Sequence, residues 1–264
     1  PTVIVGNEIG WSPVPEAPAL RRSGGSAISP ARSPKWRQLQ PMRRGCWWRA
    51  VRYGSNDFMS WQPPVIPPLA THLETELRAR IDQKTKPLGS LGRLEELALR
   101  FGLMHGTLAP ELRAPVVLVF AGDHGLAAEG VSPFPSAVTV QIVHNFLAGG
   151  AAINVFARQH GLTLRVVDAG VAAELPDHAW LLSRKVRAGT RNALHELALT
   201  ATEVEQCLAG GAQIVDELAM GGTNVLLFGE MGIGNSSAAA LLTSVLTGQP
   251  LDACVGRGAG HDDA

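Results

Sequence analysis

The sequence predicts an α/β protein: a parallel sheet covered by helices on both faces, preceded by a smaller helical part. Three observations carry that expectation. The apolar runs Pro115–Gly122, Thr163–Gly170 and Thr223–Glu230 are short, rich in β-branched residues and bounded by turn residues, as buried parallel strands are. They alternate with longer stretches of helical periodicity, the order that builds βαβ units. Each run also closes on a small residue beside an acid, in Ala-Gly-Asp-His-Gly, Val-Asp-Ala-Gly and Phe-Gly-Glu-Met-Gly.

Residues 1–58 are expected to form a disordered leader, or a stretch upstream of the natural start. They hold nine Lys/Arg against three acids and four of the six tryptophans, and Pro, Ser and Gly interrupt every period. Composition turns ordinary at Met59. Residues 59–114 read as a helical N-terminal part. There Leu94, Leu97, Ala98, Phe101 and Met104 recur at helical spacing after the turn Lys-Pro-Leu-Gly-Ser-Leu-Gly. Residues 115–264 read as the α/β domain. After its first strand a helix runs from Ser136, the expected N-cap, to a stop at Gly149–Gly150. A shorter helix lies within Ala151–Gly161, ahead of the second strand. Thr200 and Glu203 have the spacing of a capping box before Val204, Cys207, Leu208, Gly211, Val215 and Leu218, and that helix stops at Gly221–Gly222. The third strand leads into a helix over Ser236–Gly248.

Bulk composition narrows the function classes. The 264 residues carry a formal net charge of zero and a mean hydropathy of +0.09, which points to no nucleic acid and no membrane as partner. The three cysteines Cys46, Cys207 and Cys254 are far apart, a usage that suits a reduced, cytoplasmic setting. There is no Cys-x-x-Cys pair and no clustered histidine, so neither a metal nor another cofactor is expected. Gly-x-Ser-x-Gly is missing and Cys207 falls on the apolar side of its helix, which disfavours a nucleophilic hydrolase.

The strand ends are the candidate site. In open parallel sheets ligands bind in the crevice at the carboxyl ends of the strands, so Asp123, Asp168 and Glu230 are predicted to converge there. Gly229–Ser237 joins a strand to a helix through three glycines beside Glu230. The free N–H groups of such a helix start suit an anion. The spacing is neither that of a dinucleotide fingerprint nor that of a Walker loop. A second glycine-rich segment begins at Gly256.

These segments resemble one family. Gln-Lys-Thr-Lys-Pro-Leu-Gly-Ser-Leu-Gly-Arg-Leu-Glu-Glu-Leu-Ala, the stretch from Val119 to Arg158, Arg-Val-Val-Asp-Ala-Gly-Val, Gly-Thr-Arg-Asn and the stretch from Gly229 to Gly248 are similar to the nicotinate-nucleotide–dimethylbenzimidazole phosphoribosyltransferases. The likeness runs from about Asp82 to Asp263. It implies a Rossmann-like parallel sheet with flanking helices plus a small helical subdomain, with 115–264 as an incomplete nucleotide-binding domain. It also implies transfer of phosphoribose from nicotinate mononucleotide to dimethylbenzimidazole, in a family that is typically homodimeric. By motif, Glu230 would stand near the reacting centre, and Gly232, Gly234, Asn235 and Ser236 would form the phosphate-and-ribose loop. Asp123, Asp168, Gly256 and Gly258 would join them on the substrate, and Ser132 and Gln141 would wall the aromatic-base pocket. Family members continue past this second glycine-rich segment to a Gly-Glu-Gly motif whose glutamate is the catalytic base. The resemblance therefore places that base beyond Ala264, and a chain ending there is expected to turn over slowly or to act as a binding fragment.

Overall fold

In the computed structural model the described residues are Thr2–Val5, as a strand, together with residues 62, 64–256 and 258. Their sheet has five parallel strands: β1 (Thr2–Val5), β2 (Val116–Gly122), β3 (Thr163–Gly170), β4 (Leu181–Ser183) and β5 (Val225–Met231), ordered β1-β5-β2-β3-β4. The helices are α1 (Glu74–Asp82), α2 (Arg93–His105), α3 (Ala137–Leu147), α4 (Ala152–Gln159), α5 (Ala201–Met220), α6 (Asn235–Thr247) and α7 (Leu251–Cys254). The α/β reading therefore holds, and its three strands match to within a residue or two.

Two features differ from expectation. No packed element was foreseen in residues 1–58, yet the Thr-Val-Ile-Val run pairs with the outer edge of β5. It is β-branched throughout, and four residues are too few to show a period. The remainder of that leader lies outside the described residues. Ser136 does stand at the N-cap of α3, but in helical conformation and with no side-chain cap bond. Backbone carbonyls of Pro135 and Ser136 take the N–H groups of Val138 and Thr139 instead, at 3.0 and 2.9 Å.

Side-chain alternation along the strands splits the core into two layers. Val117, Val119, Leu164 and Val166 pack with Val143, Phe146, Ile153 and Ala157 of α3 and α4. Val116, Leu118, Val167 and Leu226 face Ile214 of α5. By length and composition alone Ala137–Gln159 is apolar enough to cross a membrane. Gly149–Gly150 breaks it into α3 and α4, whose buried faces belong to the first layer. In the helical part α1 lies on α2 through Leu77, Leu99 and Leu103. A methyl on Gly102 would overlap the Leu77 side chain.

The strand order prepares a site. From β2 the sheet grows through β3 to β4, and then β5 returns to the opposite side of β2. Connections that diverge from neighbouring strands leave a crevice above their carboxyl ends. Here that crevice lies over β2 and β5.

Candidate functional site

Backbone hydrogen bonds join the loops above the strand ends. Asp123 N–H donates to the Gly170 carbonyl (3.0 Å), Thr190 N–H to the Asp123 carbonyl (2.9 Å) and Gly125 N–H to the Thr190 carbonyl (3.1 Å). A Cβ on Gly125 would stand 2.6 Å from backbone atoms of Arg191 and Asn192, so only glycine allows this approach. On the other side, the loop after β5 is anchored from below by Ile233 N–H, which donates to the buried Thr139 hydroxyl (3.1 Å). Gly232 packs so closely that a Cβ would overlap the Gly122 carbonyl oxygen and the Asn235 side chain. Gly234, at φ +96°, is the N-cap of α6.

These loops enclose a cleft of about 230 Å³. β2 with its loop contributes Phe120, Asp123 and His124, β3 Ala169 and Gly170, and β5 with its loop Glu230 and Asn235. Arg187, Thr190 and Cys207 close the α5 side. Asp123 is buried; its Oδ2 accepts from Ala172 N–H at 2.9 Å, and its Oδ1 has no partner among the described residues. Such an orphan buried acceptor at a cleft wall is set up for a ligand's O–H or N–H. His124 Nε2 lies 2.6 Å from Asn235 Oδ1, and Asn235 Nδ2 donates to Glu230 Oε2. Burial pushes the His124 imidazole below its usual value, against the upward pull of Asn235 and then Asp123, which favours the neutral ring. Behind the wall, Glu203 completes the capping box with Thr200 and accepts two bonds from Arg191 (2.7 and 3.0 Å). Arg191, then Thr200, hold its carboxyl at about 2.

Of the residues singled out in the sequence, the fold brings Asp123, Glu230 and Asn235 together in the cleft. Asp168 does not converge with them. Alternation along β3 puts it on the Val166 side, where it pairs with Lys185 at 3.1 Å and accepts the N–H groups of Gly170 and Val171. Gly232 and Gly234 shape the loop from behind, and Ser236 is exposed on the first turn of α6. Gly258 comes up to Ser236, whose hydroxyl oxygen is 3.5 Å from where a Cβ would be, while Gly256 is exposed, with no described atom within 4 Å of where its Cβ would be beyond its chain neighbours. Ser132 is turned into its own loop, accepting from Phe134 N–H at 3.2 Å, and Gln141 is exposed on α3. Neither is a wall of the cleft. Cys207, expected on a buried face, is exposed. Burial of α5 centres on Ile214, and the turn carrying Cys207 overhangs the strand ends. His124, Arg187 and Thr190 were missed as site residues, although they sit within or beside the quoted Ala-Gly-Asp-His-Gly and Gly-Thr-Arg-Asn segments. Among the described residues no group of three or more His, Cys, Asp or Glu is gathered for a metal ion.

A phosphoribosyltransferase family profile matches residues 66–264. The chain belongs to that family. It is 58% identical over 192 residues to the nicotinate-nucleotide–dimethylbenzimidazole phosphoribosyltransferase of Dechloromonas aromatica, covering 73% of this chain and 55% of the relative. To the protein of the same name from Cupriavidus taiwanensis it is 55% identical over 203 residues, 77% of this chain and 59% of the relative. The crystal structure of CobT from Thermus thermophilus superposes with a TM-score of 0.69 at 48% identity, over 72% of this chain and 57% of that one. The chain thus spans a little over half the length of the relatives it matches.

Proposed function

We propose that the cleft binds nicotinate mononucleotide and serves transfer of its phosphoribosyl group to dimethylbenzimidazole, the pentosyl transfer named in the relatives. A benzimidazole nitrogen bonds to C1′ of the ribose as the C1′–N bond to the pyridinium breaks. The electron pair of that bond neutralises the departing ring, nicotinate leaves, and the proton on the other benzimidazole nitrogen passes to a base. The products are α-ribazole phosphate and nicotinate. Departure of an already cationic ring relieves its charge, so this chemistry asks for no metal at the leaving group.

The observation that carries the reading is the pairing of Glu230, held by Asn235, with the orphan Oδ1 of Asp123 across one cleft at the switch point. A carboxylate there faces the positive charge that develops at C1′. Asp123 accepts from a ribose hydroxyl. The first turn of α6, with Gly232, Gly234 and Ser236 and with Gly258 close by, takes the phosphate on free N–H groups. Asp168, bound to Lys185 at the end of β3, and the exposed Gly256 are given no contact with the substrate in this reading. Ser132 and Gln141 are assigned to the base pocket by resemblance alone. The same reading makes the protein a cytoplasmic enzyme acting as a homodimer.

Calorimetric titration with nicotinate mononucleotide, then chromatography for α-ribazole phosphate after dimethylbenzimidazole is added, tests it. Glu230→Ala is expected to weaken nucleotide binding about tenfold and, where turnover is measured, to lower kcat/KM by roughly 10- to 1000-fold, with circular dichroism unchanged. Equal affinity and kinetics in that variant would remove Glu230 from the site. Binding without product would favour a binding module.

A further inference from the structure

The relay that ends on Glu230 begins at a residue with no role so far. We propose that His124 is a positioning residue for Glu230: as the Nε2–H tautomer it orients the Asn235 amide, which in turn orients the carboxylate. This inference rests on the phosphoribosyl-transfer reading of the cleft.

An asparagine amide has one accepting and one donating end. Glu230, an exposed carboxylate, accepts, so Asn235 turns Nδ2 towards it and Oδ1 towards His124. The histidine nitrogen 2.6 Å from Oδ1 must then carry the hydrogen. In the Nδ1–H tautomer two acceptors would face each other across that distance. A flipped amide would instead set Oδ1 against the carboxylate. Only one arrangement leaves every contact between a donor and an acceptor.

The packing makes His124 a fixed reference point. Its neighbours Asp123 and Gly125 are bonded to Gly170 and Thr190, and a Cβ on Gly234 would stand 3.2 Å from the His124 Cβ. The imidazole thus ties the end of β2 to the loop after β5, across the switch point. Without it, the Asn235 amide loses the contact that fixes which end it turns to Glu230, and Glu230 loses a directed donor. Fixing such a group before the ligand arrives lowers the ordering cost of binding.

Three measurements test the role. Long-range proton–nitrogen NMR of the wild-type chain at pH 7 is expected to show His124 as the Nε2–H tautomer, and an Nδ1–H ring would overturn the proposal without need of a variant. His124→Phe removes the donor and His124→Gln keeps one. The Phe variant is expected to lose the shifted Asn235 side-chain amide resonance and to bind nicotinate mononucleotide about tenfold more weakly. The Gln variant should retain the resonance and lie within about threefold of wild type, the scale of one net hydrogen bond. In a Glu230→Ala background, His124→Phe should have no further effect on affinity. An equal loss with and without Glu230 would mean that His124 acts elsewhere. A wild-type chain that binds no nicotinate mononucleotide sinks the proposed function, while the tautomer and the amide resonance still decide whether His124 sets Asn235.

Discussion

The ends of β2 and β3 carry similar short segments, Ala-Gly-Asp-His-Gly and Val-Asp-Ala-Gly, and both aspartates are buried, at 6% and 3% exposure. Their surroundings are opposite. Asp168 has its charge matched by Lys185 and its oxygens met by two turn amides. Asp123 has one oxygen satisfied by Ala172 and the other unmatched at the cleft wall. The neighbours make the difference. β4 pairs with β3 through Ser183 opposite Asp168, and two residues further on the chain delivers Lys185 beneath it. On the β5 side, β2 meets Glu230 and Asn235 instead. An acid whose bonds are complete holds the fold, and one left incomplete is available to a ligand.

The largest expected effect breaks the complete one. Asp168→Ala leaves Lys185 facing a buried gap and frees two turn amides, so unfolding stability should fall by about 3–5 kcal/mol. Urea denaturation reads this directly. A loss under about 1 kcal/mol would mean that the Ala173 carbonyl, which Lys185 already meets at 2.9 Å, and water suffice for the ammonium. Asp123→Asn is the sharpening counterpart. Its oxygen can still accept from Ala172, and the orphan acceptor becomes a donor, so stability should change by less than about 1 kcal/mol. Affinity for nicotinate mononucleotide should nevertheless fall about tenfold by calorimetry, the worth of one ligand hydrogen bond. If Asp123→Asn proved the more destabilising of the two, the contrast would be reversed.

The smallest effect is a pH dependence behind the wall. Glu203 is lowered from 4.5 to about 2, first by Arg191 and then by Thr200. A depressed acid contributes stability that is complete above the unfolded value and is lost as pH falls through the folded one. Part of the acid sensitivity between pH 4.5 and 2 therefore belongs to this group. Glu203→Gln should flatten the stability curve in that window and, above about pH 5.5, lower it by a constant offset without changing its slope. An identical slope in the variant would remove Glu203 as the source.

Much of the architecture was legible in local pattern. The strands and the Thr200–Glu203 capping box appear where β-branched runs and a Thr-x-x-Glu spacing put them, because these signals act over a few residues. β1 and β4 were not seen, since four and three residues leave no period to read. Ser136 misled for a related reason: a capping residue type does not reveal that a tight turn has already satisfied the amides. For the cleft, the glycines and acids marked loops that border it, and Glu230, Asn235 and Asp123 are among its lining residues. His124 went unrecognised because its contact is with Asn235, a residue of the loop after a strand far along the chain.

Sequence by itself determined the α/β class, the order of the three longest strands and the helices between them, and the glycine-rich loop that borders the cleft after β5, since periodicity, caps and glycines are local physics. Which buried aspartate would be neutralised and which left open was decided only by tertiary structure. Strand order chooses the neighbours of each carboxylate, and side-chain alternation chooses the face on which it meets them. One Asp-bearing strand end thus became an internal ion pair, and the other became the wall of a cleft.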